Sequence, residues 1–198
     1  MLVRPQVVED VGHVLGNLFQ RIYHLIGLTS ATDAAVAAQL QCSTQHLEEF
    51  LQLAVDYFAP LSLKLEYLSG MEIAQGLARQ MSDALGSSVM IGAKLPDGGR
   101  LLVDPGRLAH AFTLLALQLH ADDGCKGGIE AKVLQKPAGR SMVLRASIPS
   151  RCVSTPSSEA EVQWAVAEKL LEIQGGSLQQ KTVSSGEVLW EILLPFQP

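Results

Sequence analysis

Between Val7 and Gly27 apolar residues recur at alternating steps of three and four, at Val8, Val11, Leu15, Leu18, Ile22 and Leu25. Such heptad spacing keeps one stripe of a helix turned toward the same neighbour along its whole length, so this segment is expected to be a long helix packed lengthwise against others. The turn Leu28-Thr29-Ser30-Ala31-Thr32-Asp33 supplies side-chain oxygens that can cap a second helix, expected from about Thr32 to Phe58 and ending before Pro60. Its expected apolar face is Leu40, Leu47, Leu51, Ala54 and Phe58. Two long helices on a short turn form an antiparallel hairpin. A hairpin alone buries only one face, so two copies are expected to pair as a four-helix bundle, which makes the protein a homodimer.

Beyond Pro60 the period changes. Leu61 to Leu68 alternates apolar and other residues with period two and reads as a strand. Gly70 precedes an amphipathic helix from about Met71 to Leu85, and the segments Val89–Leu95 and Arg100–Val103 flank Pro96-Asp97-Gly98-Gly99, read as a hairpin turn. Asp104-Pro105 is a helix start, with Asp as N-cap and Pro in the first helical position, and the helix is expected to run to about His120. Ile129–Leu134 and Met142–Ile148 read as strands joined through Pro137-Ala138-Gly139. Ser150–Ser158 reads as a loop, Glu159–Gln174 as a helix stopped by Gly175-Gly176, and Ser177–Val183 with Val188–Leu194 as a last hairpin. After the helical hairpin the predicted order is β-α-β-β-α-β-β-α-β-β, an α+β layer with helices on one sheet face. The sequence thus divides into a helical hairpin over 1–60 and an α/β domain over 61–198.

The formal net charge of −5, with no basic stripe, argues against a nucleic-acid partner, which needs clustered Lys and Arg to neutralise phosphates. Cys42, Cys125 and Cys152 are odd in number and widely spaced, a pattern that suits free thiols in a reducing compartment better than disulfides or a metal site. No apolar run approaches the ~20 residues of a membrane span. The expectation is therefore a cytoplasmic protein with no bound metal, no nucleic acid and no membrane contact.

Four segments carry a family resemblance. Gly12-His13-Val14-Leu15-Gly16-Asn17-Leu18 resembles the phospho-acceptor region of sensor histidine kinases, and Phe50 to Pro60 resembles the end of their second bundle helix. Val103-Asp104-Pro105-Gly106-Arg107-Leu108 resembles the start of the helix that carries their ATP-site Asn, and Val162 to Gly176 resembles their last helix and the Gly pair after it. The resemblance covers nearly the whole chain in order. It implies a dimerisation and phospho-acceptor hairpin followed by a histidine-kinase-type (Bergerat-like) α/β sandwich.

Departures from the family pattern cluster where ATP would bind. The resemblance puts Gln118 in place of the metal-holding Asn and Leu114 in place of a second one. Ile148-Pro149-Ser150-Arg151-Cys152-Val153 stands where an Asp-x-Gly-x-Gly segment is expected, and the Ser150–Ser158 loop has no Gly. Phosphate cradles need close backbone approach, which Gly permits, and phosphoryl transfer depends on positioning and charge neutralisation. ATP binding is expected to be lost, with Gln118 marking a vestigial nucleotide site.

His13 lies off the apolar seam, on a polar stripe with Asp10, Asn17, Gln20 and His24, flanked by Val14 and Phe19. The residue after the acceptor His is usually an acid in active kinases, and here it is Val14. Receiving a phosphoryl group from a receiver-domain aspartyl phosphate asks less of the chain: an exposed neutral imidazole, with Mg²⁺ supplied by the partner. Dimeric histidine phosphotransferases have this architecture, so the resemblance implies transfer to or from response-regulator receiver domains through His13, without ATP. Asp10, Val14, Asn17, Phe19, Gln20 and Arg21 would form the receiver-docking surface, Asn17 and Arg21 assisting docking or charge stabilisation. The hairpin is poor in basic groups, having only Arg4 and Arg21, so docking would rest on apolar contacts and on cations of the partner. The alternative is a non-catalytic pseudokinase scaffold that binds a response regulator, which Val14 fits equally well. The bland reading of His13 is a solvated helix histidine, and His46, His110 and His120 read as ordinary helix residues without partners at ligand spacing. Trp164 and Trp190 read as core or interface anchors.

Overall fold

The computed structural model describes residues 5–28, 34–58, 62–95, 100–122, 126–136, 139–183 and 186–196. By its contacts the chain forms two compact units: one comprises Met1–Leu61 and Pro156–Val166, the other Ser62–Thr155 and Ala167–Pro198. The capping oxygens at 29–33, Pro60, the 96–99 turn, Cys125 and Pro137-Ala138 lie outside the described residues.

In the first unit, α1 (Pro5–Leu28) and α2 (Ala34–Phe58) form a helical hairpin. The buried stripe of α1 is Val7, Val11, Leu18 and Leu25, while Leu15 and Ile22 are half-buried. Val8, expected in the seam, is 49% exposed; Val7, one residue earlier, takes the buried position. The face of α2 buried in the chain is Ser43, Phe50, Leu53 and Tyr57, not the expected one. Leu51 and Phe58 are exposed, and Leu40, Leu47 and Ala54 are half-buried. Periodicity finds the most apolar stripe of a helix but cannot say which neighbour meets it.

Gly12 and Gly16 sit inside α1, where Gly is less favourable than Ala by about 0.5–1 kcal/mol. A Cβ added at either position would meet nothing within 4 Å. Gly16→Ala is therefore expected to stabilise the protein by roughly 0.5–1 kcal/mol in urea unfolding, because the methyl group removes backbone freedom without a clash.

The second unit runs β1 (Glu66–Ser69), α3 (Gly70–Leu85), β2 (Met90–Lys94), β3 (Arg100–Val103), α4 (Pro105–Ala116), β4 (Gly128–Lys136) and β5 (Gly139–Pro149). A short 3₁₀ turn at Ser150–Cys152, α5 (Ser158–Glu172), β6 (Ser177–Val183) and β7 (Glu187–Pro195) complete the chain. The order of helices and strands matches the sequence reading, and α5 runs across the boundary between the units. Pairing differs from it at two places. The strand expected over Leu61–Leu68 begins only at Glu66, and β2 and β3 do not form a hairpin. Instead β1 pairs antiparallel with β3, while β2 runs parallel to β4 on the edge of a five-stranded mixed sheet in the order β2-β4-β5-β7-β6. Local turn chemistry predicts a reversal of the chain but not the partner each strand finds.

One face of that sheet carries Ile129, Leu144, Ala146, Trp190 and Ile192, all buried, alternating with partly or fully exposed Glu130, Arg145 and Glu191 on the other. Apolar residues of α3 (Ile73, Leu77, Met81) and α4 (Leu108, Phe112, Leu115) are buried in the same unit. A capping box starts α3: Ser69 N–H donates to Glu72 Oε2 at 2.7 Å and Glu72 N–H donates to Ser69 Oγ at 3.2 Å. Those bonds hold the exposed Glu72 carboxyl below the usual carboxylate range. The chain leaves α5 through Gly175 at φ +78°, and a Cβ on Gly176 would lie 2.7 Å from the Leu193 carbonyl oxygen, so the Gly pair is a cap and a close approach rather than a phosphate loop.

Candidate functional site

Positions 13, 17, 20 and 24 are spaced i, i+4, i+7 and i+11, which places them on one face of α1. His13, Asn17, Gln20 and His24 are all exposed, as is Arg21 beside them. Phe19 is 44% exposed and Val14 half-buried, so apolar surface lies next to the polar stripe. Asp10 departs from the expectation: it is only 7% exposed and cannot form part of a docking surface. Its Oδ2 has no hydrogen-bond partner among the described residues. The stripe therefore offers a water-accessible imidazole with amides and one guanidinium beside it. That imidazole can act as a nucleophile or as a proton carrier.

Hydrogen bonds hold both ends of α4. At its start Asp104 is the N-cap; Oδ1 accepts from Arg107 N–H at 3.0 Å and Oδ2 from Lys64 N–H at 2.7 Å. Burial opposes ionisation of this carboxyl, but the backbone N–H groups of Lys64, Arg107 and Gly106, with the Arg107 charge, outweigh it and hold Asp104 below the usual carboxylate range. Asp104 N–H donates to Gln174 Oε1 at 2.7 Å, and Gln174 Nε2 donates to the Leu170 carbonyl at 2.7 Å, so one buried amide ties the start of α4 to the end of α5. A cavity of about 310 Å³ opens beside the cap, lined by Ser62, Lys64, Asp104, Gly106, Arg107 and His110.

At its other end α4 stops at Ala116, earlier than the predicted His120. Gln118 lies beyond the helix and is buried, 8% exposed, and its carbonyl accepts from Ser154 N–H at 2.7 Å. Leu119 bridges to Val153, and His120 N–H donates to the Cys152 carbonyl at 3.0 Å. Arg151 pairs with Asp122 at 3.2 Å. The segment after α4 is thus clasped, backbone to backbone, by the segment after β5, and Leu114 is buried. Cys152 is fully buried and disulfide-bonded, which corrects the expectation of three free thiols; Cys42 is free and exposed. An odd cysteine count argues only against all of them being paired.

His46 also departs from the sequence reading. Its Nε2 lies 3.2 Å from Glu159 Oε1, in the first unit, and Glu159 also accepts from Gln163 Nε2 at 3.4 Å. No sequence signal joins positions so far apart in the chain. Trp190 is fully buried and bonds Gln180 Oε1 through its indole N–H at 3.1 Å, whereas Trp164 is half-buried. Among the described residues no three His, Cys, Asp or Glu side chains converge as metal ligands, and no helix is long and apolar enough to cross a membrane.

No family model matches the chain, and no curated protein matches it. Solved structures do. The Acinetobacter baumannii histidine kinase AdeS is similar over 96% of this chain and 98% of its own, with a TM-score of 0.59 and 13% identity. Full-length ShkA in complex with AMPPNP is similar over 98% of this chain and 46% of its own, with a TM-score of 0.56 and 17% identity. At these identities the likeness establishes a histidine-kinase-like fold of helices and a mixed sheet.

Proposed function

We propose that the protein is a histidine phosphotransferase of two-component signalling, passing a phosphoryl group to or from receiver-domain aspartates through His13 and binding no ATP. The observation that carries this reading is the exposure of His13 on the first helix of the hairpin in a chain of histidine-kinase-like fold. Nε2 of His13 is the acceptor. Asn17, Gln20 and Arg21 meet the receiver from the same exposed face, with Phe19 as the apolar edge, and Mg²⁺ comes with the receiver. The clasp that holds Gln118 and the apolar Leu114 support the loss of nucleotide binding, since neither position offers an amide to a metal ion from the helix surface. Residues 1–60 serve as dimerisation and phospho-acceptor domain and 61–198 as the degenerate ATPase-like domain, in a homodimer.

The dimer is supported by the apolar surface that the hairpin leaves open. Val8 and Tyr23 of α1 and Leu51, Val55 and Phe58 of α2 are exposed, and α2 borders an open groove of about 780 Å³ that includes Ala37, Leu40, Thr44 and Glu48. A second reading, a scaffold that binds a response regulator without becoming phosphorylated, is favoured by Val14, which leaves the position after His13 without an acid.

Two mixtures test the proposal. A ligand bound with a Kd near a micromolar would add about 2.7 kcal/mol at hundredfold excess, so the absence of a melting shift with ATP and Mg²⁺ is the expected result. Incubation with a phosphorylated receiver should place phosphate on the protein. A melting shift with ATP would overturn the nucleotide-free reading, and a receiver that binds yet never transfers would establish the scaffold instead.

A further inference from the structure

Asp10 is a buried carboxylate of α1 with an unused acceptor: 7% exposed, with Oδ2 lacking any hydrogen-bond partner among the described residues. Buried polar groups are nearly always paired, and an exception in a folded protein calls for a reason. Asp10 stands three residues before His13, which makes the two helix neighbours with Cβ atoms about 5–6 Å apart. Helical side chains lean toward the N-terminus, so Asp10 lies on the turn toward which a side chain at position 13 extends. Val14, half-buried and without a polar atom, can neither orient the ring nor fix its proton.

Asp10 and His13 make no hydrogen bond to each other in this structure; we propose that rotation of the two side chains brings them together, making Asp10 the positioning residue that accepts His13 Nδ1–H and leaves Nε2 unprotonated and turned to solvent. This rests on the reading of His13 as phosphoryl acceptor. Partnering one ring nitrogen with a carboxylate fixes the tautomer and orientation of the other. In the transfer step the Nε2 lone pair attacks phosphorus. The Nε2–P bond forms as the P–O bond to the donor aspartate breaks, and that electron pair leaves with the aspartate carboxylate. No proton moves. Nδ1–H stays on the ring, and the Asp10 carboxylate balances the positive charge that the imidazole acquires.

The test uses the full chain, with phosphoramidate as donor, so that receiver docking plays no part; Nε2–P forms, P–N breaks and ammonia leaves. Three proteins are compared: wild type, Asp10→Asn and Glu9→Gln, the last because Glu9 is the other carboxylate on that turn. Nitrogen-15 shifts of the neutral His13 ring should show mostly Nδ1–H in wild type and Glu9→Gln, and mostly Nε2–H, the form a free histidine side chain prefers, in Asp10→Asn. The phosphorylation rate should fall by about 10–100-fold in Asp10→Asn alone. A wild-type ring that is mostly Nε2–H overturns the proposal, whether or not the variants fold. So does an unchanged rate in Asp10→Asn, or a loss that follows Glu9→Gln. If phosphoramidate labels wild type but phosphorylated receivers do not, the phosphotransferase reading fails while the Asp10 contact is still decided by the ring tautomer.

Discussion

His13→Gln is expected to abolish phosphoryl acceptance from a phosphorylated receiver and to leave the fold intact. Glutamine keeps a polar side chain on the helix but offers only an amide nitrogen, whose lone pair is delocalised into the carbonyl and does not attack phosphorus. His13 is exposed, and substitutions at such positions usually change stability by no more than about 0.5 kcal/mol, so the melting temperature should move little. The control is His24→Gln, on the same stripe and equally exposed, which should accept phosphate as wild type does. Loss in both variants would point to a damaged docking surface rather than a missing nucleophile. Loss in neither would move the acceptor away from this face.

The second large effect concerns assembly. Leu51→Glu should convert the proposed homodimer to monomers while leaving the monomer folded. Leu51 is 43% exposed in the single chain, so Glu at this position remains hydrated there and costs the hairpin little. In the proposed four-helix bundle the same position would be buried twice, once per subunit, and an unpaired buried carboxylate costs several kcal/mol. A combined cost of about 4 kcal/mol corresponds to a roughly thousandfold rise in the dimer dissociation constant, readily seen by sedimentation across a dilution series. A variant that sediments as a dimer at the same concentrations as wild type would remove this face from the interface.

The parts of the protein written in local patterns were legible in the sequence. The order of helices and strands followed from periodicity, and Asp104-Pro105 marked a helix start that the structure builds with side-chain bonds to Arg107 and Lys64. Non-local choices were not legible. Nothing in Met90–Lys94 announces a parallel partner at Gly128–Lys132, and the Pro-Asp-Gly-Gly turn suggested a different one. The early end of α4 has no Gly or Pro to signal it; the chain turns because residues 118–120 bond to 152–154. On α2 the most apolar stripe was found, but the chain buries a neighbouring face that includes Ser43 and Asp56. At the site, helix phase was enough to place His13 on the water side. The burial of Asp10 was not readable, because the position lies at the edge of the polar stripe and its fate depends on what packs there.

The exposed imidazole on α1 is proposed to take its phosphoryl group from a partner and not from a nucleotide. Mapping the acid-labile phosphate by mass spectrometry, after parallel incubations with a phosphorylated receiver and with ATP and Mg²⁺, tests this most directly. Phosphate on His13 in the first incubation and none in the second is the expected result. Labelling by ATP, or phosphate carried on any other residue, would contradict the account.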